Sequence, residues 1–111
     1  METTLHRVIV SVESAEAALA FYRDLLGLTV HAGGGITRLS DGAVEILLHE
    51  RPSRPSDLGI ALSFRVDDLD ATCATWRRAG GTVVDPPAEQ PWGEHLAVLR
   101  DADGHLVCLT Q

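Results

Sequence analysis

The sequence predicts an α+β fold of two βαβββ modules, and three observations carry that prediction. A spaced pattern occurs twice: Val12, Tyr22 and Gly27 are answered 54 residues later by Val66, Trp76 and Gly81. Each valine closes an alternating apolar run, each aromatic falls in a helical pattern that follows it, and each glycine stops that helix. Arg38 and the pair Asp41-Gly42 then recur 62 residues on as Arg100 and Asp103-Gly104. Asp-Gly is a strong hairpin signal, because both turn positions tolerate positive φ. The two offsets differ by eight residues, so the second copy carries an insertion, and the proline-rich stretch 85–91 is its natural place.

The elements follow in order. Residues 5–12 alternate with period two and read as a strand. Ser14 is a candidate N-cap, Ala17, Ala18, Phe21, Leu25 and Leu26 give helical spacing, and Gly27 ends the run. Short strands are expected near 28–32, 36–39 and 43–49, with Gly33-Gly34-Gly35 and Asp41-Gly42 as turns. Residues 51–57, rich in Pro, Ser and Arg, link the modules. The second copy reads as a strand at 59–66, a helix at 69–79 and strands near 82–84, 95–100 and 105–110. A βαβββ module covers one sheet face with its helix and leaves the other open. Two modules, about 5–50 and 58–110, are expected to close their open faces into one cup-shaped mixed sheet with the helices outside, a single ligand-holding domain.

Composition bounds the function. At 111 residues there is room for one modest domain. A hydrophobic content of 45% with 23% charged residues excludes disorder. No apolar run approaches the roughly 20 residues that span a bilayer, and residues 1–4 lack the basic and apolar regions of a signal peptide. A cytoplasmic location without membrane contact is expected. The net charge of −7 argues against a nucleic-acid partner. Cys73 and Cys108 sit far apart in apolar contexts and read as free thiols.

The stretch Ala-Phe-Tyr-Arg-Asp-Leu-Leu-Gly-Leu at 20–28 and Asp-Ala-Asp-Gly-His at 101–105 resemble the two signatures of the vicinal-oxygen-chelate superfamily, the glyoxalase, bleomycin-resistance and dioxygenase proteins. Glu89-Gln90-Pro91-Trp92-Gly93 with Arg100-Asp101 is similar to its bleomycin-resistance branch in particular. The resemblance implies a divalent metal held by His, Gln or Glu on the first and last strands of each module. Counted from Phe21, from Val66 and from the Asp-Gly turns, those positions here are Arg7, Ile46, Ala61 and Cys108. An always-charged Arg would repel a dication, Ile and Ala offer no donor, and one thiol alone holds no such ion. No metal and no other cofactor is therefore expected. A one-residue slip of register would exchange the faces of a strand and recruit His6 or Glu45 instead.

Alternate strand residues share a face, so Arg7 brings Ile9 and Ser11 into the cup. Ile46 brings Val44 and Leu48, Ala61 brings Ser63 and Arg65, and Cys108 brings Leu106. Val8, Val10, Leu62, Phe64 and Val66 are expected under the helices. Trp92 is expected as an aromatic lid, Trp76 as core, His49 at the rim or surface, and His95 and His105 in solvent. Ser63 and Arg65 stand where bleomycin-resistance proteins carry aromatics, which disfavours a flat cationic drug. The expected function is non-catalytic binding of a small, largely apolar molecule with an oxygen-rich group, such as an antibiotic or other natural product. The expected ligand contacts are Arg7, Ile46, Leu48, Ser63, Arg65, Trp92 and Cys108. The rival is a lyase, isomerase or dioxygenase with unusual metal ligands, or a metal-free one using Arg7 as electrophile. An accessory domain with no small ligand is the third reading. A homodimer is expected, because so short a chain makes a thin core alone.

Overall fold

Each module buries a helix against one face of a four-stranded mixed sheet, and that packing decides which residues are left to meet a ligand. The computed structural model describes residues 1–31 and 35–111, so of the expected glycine turn only Gly35 falls among the described residues. The chain forms two compact units, 1–53 and 54–111, which part within the predicted linker. The α+β plan of two βαβββ modules is the one the structure shows. Among the described residues no helix is long and apolar enough to cross a membrane.

In the first unit, β1 (Arg7–Val12) leads into α1 (Ala15–Leu19), whose first turn is closed by Ser14 Oγ accepting from the Ala17 amide at 3.1 Å. The helix continues as a π-helical stretch, Ala20–Leu25, with the Leu26 amide bonded to the Phe21 carbonyl at 3.0 Å. Then come β2 (Thr29–His31), β3 (Thr37–Ser40) and β4 (Glu45–Glu50), in the spatial order β1-β4-β3-β2. The helix lays Ala18, Leu19, Phe21 and Tyr22 onto Val10, Val12, Leu39, Ile46 and Leu48, all buried. Burying one such side chain stabilises the fold by about 1.5–3 kcal/mol. Phe21 and Tyr22 meet edge to face at 5.0 Å.

The second unit repeats the plan with β5 (Leu62–Arg65), α2 (Leu69–Arg78), β6 (Thr82–Glu89), β7 (His95–Arg100) and β8 (Leu106–Thr110), ordered β5-β8-β7-β6. Its strand β5 is shorter than the predicted 59–66. Asp68 caps α2 through the Ala71 amide at 3.0 Å, and Leu69, Cys73 and Trp76 are buried with Ala97, Leu99, Val107 and Leu109. Leu62, Phe64 and Val66 are only half-buried, as is Val8 in the first unit. The inserted stretch 85–91 was expected as loop, but β6 runs through it to Glu89. Two register irregularities, between Val83 and Asp85 and between Asp85 and Ala88, absorb the extra residues. Pro86 and Pro87 are tolerated because β6 is an edge strand.

The two helix stops are not the matched pair that the 54-residue offset suggests. Gly27 and Gly80 are the glycines with positive φ after the helices, at +74° and +89°. Gly81 instead lies beneath Trp76, where a Cβ would fall 2.1 Å from the indole Cε2. The π turn adds one residue between Tyr22 and its stop, so Tyr22 and Gly27 are five apart while Trp76 and Gly80 are four apart.

Candidate functional site

The open face of the first sheet is read from strand register, since laterally paired residues project to the same side. Arg7 pairs with Glu45, Ile9 with Leu47 and Ser11 with His49. Across β4, Glu45 pairs with Ser40 and Leu47 with Arg38, and Ser40 and Arg38 pair with Thr29 and His31. The face therefore carries a polar row, Arg7–Glu45–Ser40–Thr29, beside a mixed row, Ile9–Leu47–Arg38–His31. Ile46 and Leu48, expected here, lie on the opposite side, paired with Val8 and Val10 and 4% and 2% exposed. Their assignment to the ligand face is corrected, and Val44 precedes the strand.

The error has a local cause. Asp41 Oδ1 accepts from the amides of Ala43 and Val44, at 2.9 and 3.1 Å, whereas Asp101 Oδ1 accepts from those of Asp103 and His105, each at 2.9 Å. The two turns deliver their chains to the last strand with opposite parity: β4 presents the third residue after Gly42 to the open face, and β8 the second after Gly104. Counting the same four residues from each Asp-Gly thus lands on opposite faces. The backbone bonds, that of Ala43 foremost, hold the Asp41 carboxyl below the usual carboxylate range.

Arg7 Nη2 lies 2.5 Å from Glu45 Oε1, with the side chains 31% and 27% exposed. The contact is an ion pair without hydrogen-bond alignment, since Glu45 Oε1, Arg7 Nε and Arg38 Nε are buried atoms with no hydrogen-bond partner among the described residues. His31 Nε2 and Ser40 Oγ are 2.9 Å apart. At the far end Arg51 Nε donates to Ser11 Oγ at 2.6 Å, so the start of the linker ties down that edge. A hollow of about 350 Å³ beside this end is lined by Ile36, Thr37, Leu47, His49 and Glu50 among others.

The second unit's open face follows the sequence reading more closely. Ser63 pairs with Cys108 and Arg65 with Thr110, while Cys108 pairs with Val98 and Val98 with Asp85. Ser63 and Arg65 are exposed and Cys108 half-buried. Burial, and then the Asp85 carboxylate, push the Cys108 thiol up; burial also pushes up that of Cys73, and both cysteines are free. Trp92 is 65% exposed in the β6–β7 turn, its Nε1 donating to Glu94 Oε1 at 2.7 Å. Glu94 reaches Thr110, the strand neighbour of Arg65, at 3.4 Å. His105 is not simply solvated, as its Nδ1 accepts from the Ser56 amide at 3.0 Å.

The residues of neither face fit the divalent metal that the superfamily's enzymes hold. In the first unit the slip does bring Glu45 to the open face, but its neighbour there is a guanidinium. His6 lies outside β1 and is exposed. In the second unit Ala61 and Cys108 offer one weakly acidic thiol. Among the described residues no three His, Cys, Asp or Glu side chains gather to share an ion. Arg38, the residue that sequence reasoning used only as a repeat marker, was missed as a member of the site; its pairing opposite Leu47 and next to His31 places it there.

Comparison with known proteins agrees with this architecture. The chain is 36% identical over 101 residues to the Mycobacterium tuberculosis protein CFP32, named as a glyoxylase, an alignment covering 83% of this chain but 38% of that one. It thus spans about four-tenths of the length of that curated relative. A Vibrio cholerae protein named for lactoylglutathione lyase is 27% identical, with 96% of this chain and 91% of that one covered. The crystal structure of a glyoxalase/bleomycin resistance protein/dioxygenase family enzyme from Burkholderia phytofirmans superposes with a TM-score of 0.80 at 20% identity, covering 97% and 98% of the two chains, a likeness of fold. Residues 4–109 match the family model for the same group, and the chain accordingly belongs to the glyoxalase/bleomycin resistance protein/dioxygenase superfamily.

Proposed function

We propose that the chain is a metal-independent small-molecule binding protein, and that the open face of its first sheet holds the ligand. The observation that carries this reading is the donor set. Where a chelating enzyme needs neutral or anionic ligands, this face presents Arg7 and Arg38, each with a buried Nε that has no acceptor among the described residues. An unmade buried hydrogen bond costs about 1–3 kcal/mol, so two at one site favour an incoming oxygen. Ile9, 53% exposed, supplies apolar contact beside them, with Leu47, 9% exposed, packed next to it. On the second unit, taken by itself, Ser63, Arg65 and Cys108 share the open face of its sheet and Trp92 stands exposed in its β6–β7 turn as candidate ligand contacts, and the working species is a homodimer.

The test is an amide-resolved NMR titration in EDTA buffer with three aromatic probes of one size: benzoate, benzamide and benzylamine. At least one is expected to shift Ile9, Leu47 and Ser40 without metal. The reading fails if those signals move only after Mg²⁺, Mn²⁺ or Zn²⁺ is added. Turnover of lactoylglutathione, the compound in the name of the Vibrio relative, would move the chain to the enzymes instead.

A further inference from the structure

Charge on the first unit's open face is unlike that of the chain as a whole. The protein carries a formal −7 with histidines left out of the count, yet on the same count the two central rows of this face hold Arg7 and Arg38 against the single carboxylate of Glu45, a local balance of +1. Glu45 is the direct neighbour of Arg7 and lies on the diagonal from Arg38, a separation of roughly 7–8 Å between backbones that long side chains cross. Only Arg7 is paired with it, through Nη2. Arg38 makes no ion pair among the described residues and has a buried, unpartnered Nε. Desolvated guanidinium N–H groups donate best to carboxylate oxygens, because the bond is charge-assisted and geometrically forked. Net charge over the surface is screened within about 10 Å at 0.1 M salt, so donors in contact decide the outcome.

We infer that this face is a selective site for an organic monoanion, a monocarboxylate on an apolar, ring-sized body, with Arg38 as its main anchor. Arg7, already paired with Glu45 through Nη2, adds a second positive charge, and Glu45 sets the charge limit. The inference rests on the binding reading above and names its ligand class. One carboxylate brings the face to neutrality. A dianion leaves it negative beside Glu45, and a cation meets two guanidinium groups. Ile9 and Leu47, in the same lateral row as Arg38, give the body its apolar floor. Glu45 is a positioning residue here, since it acts on the ligand through Arg7 and through charge.

The experiment compares benzoate, benzamide, benzylamine and phthalate on the full chain in EDTA buffer, by the same NMR titration. Benzoate is expected to bind about ten-fold or more tightly than benzamide, the scale of a hydrogen bond to a charged group, and phthalate more weakly than benzoate. Arg38→Gln should remove the benzoate preference, weakening benzoate more than it weakens benzamide. Arg38→Lys should restore part of it. Glu45→Gln should reverse the order of benzoate and phthalate, which a purely structural role for Glu45 would not do. Benzamide binding as well as benzoate at Ile9 and Leu47 would overturn the inference and leave the binding reading standing. Binding of none of the four would overturn both. An unfolded Arg38→Gln, seen as collapsed amide dispersion, leaves the wild-type ranking and the Glu45→Gln reversal to decide.

Discussion

Gly81→Ala is the sharpest test of the packing, because its cost is steric and can be worked from one contact. The backbone at Gly81 is not in the positive-φ region, so alanine meets no conformational penalty there. Its Cβ, however, would stand 2.1 Å from Cε2, 2.2 Å from Nε1 and 2.4 Å from Cδ2 of Trp76. The indole is 6% exposed and its Nε1 donates to the Arg100 carbonyl at 2.8 Å, so the ring cannot move aside without breaking that bond. Overpacking a core costs about 1–3 kcal/mol, and a buried hydrogen bond left unmade about 1–3 kcal/mol more. The sum, about 2–6 kcal/mol, is a large share of the 5–15 kcal/mol typical of a domain. Urea unfolding followed by circular dichroism should show the midpoint falling by about 2 M, taking 4 kcal/mol and a slope of about 2 kcal/mol per M. Gly80→Ala is the control. Its φ of +89° strains any side chain, but nothing lies within 4 Å, so the cost is the 1–2 kcal/mol of left-handed backbone. If Gly81→Ala is no worse than Gly80→Ala, the account of Trp76 is wrong. Adding Gly81→Ala to Trp76→Leu should cost little, as the clash is then gone.

Other outcomes follow from the same structure. Ser14→Ala should lower stability by about 1 kcal/mol through loss of the cap on Ala17, measured by thermal unfolding. Asp41 has a folded pKa below its ordinary value, so its contribution is present above the ordinary carboxylate range and is lost as pH falls through the folded value. Asp41→Asn should therefore flatten the fall in unfolding midpoint between pH 5 and pH 3, and an unchanged slope would refute the turn's role. Cys73 and Cys108 have raised pKa values, so both should react more slowly than free cysteine with a thiol reagent at pH 7.5, and at the ordinary rate in urea. Their neutral forms favour the folded state, a contribution fully present below the unfolded thiol pKa and lost as pH rises through the folded one.

Much of the fold was legible because the signals are local. A capping serine, helical spacing, a stop glycine and two Asp-Gly turns each act within a few residues, and the elements formed where those signals lay. What was misread needed comparison between copies. Tyr22 and Trp76 do correspond, since each carbonyl is bonded by the amide just beyond the stop glycine, Leu28 in one case and Gly81 in the other, at 3.0 and 2.8 Å. The stops themselves are Gly27 and Gly80, and the tandem Gly80-Gly81 allowed the alignment to choose the wrong one. No composition rule announces a π turn, which arises from how the helix seats Phe21 and Tyr22 on its sheet. The length of β6 was misread for a similar reason: a strand was expected near 82–84, and two prolines argue for loop beyond it unless the strand is known to be an edge.

The site turned on parity, and parity is the least local property a strand has. Whether Ile46 or Glu45 stands beside Arg7 depends on the number of residues that one carboxylate, Asp41, gathers into its turn. That choice decides between an aliphatic wall and an ion pair, and hence between two ligand chemistries. Composition alone favoured Ile46 for neither face. Yet the alternation of β4 held a clue: Glu45, Leu47 and His49 make one face, Ile46 and Leu48 the other, and only the second is apolar throughout. A helix-covered face cannot accommodate a carboxylate and an imidazole without partners, so Glu45 and His49 had to face outward together. Given Arg7 on the neighbouring strand, Glu45 offers that half-buried charge an opposite charge that Ile46 would not. The same logic brings Arg38 to the open face, since Leu39 is fully buried and its neighbours in β3 must point the other way.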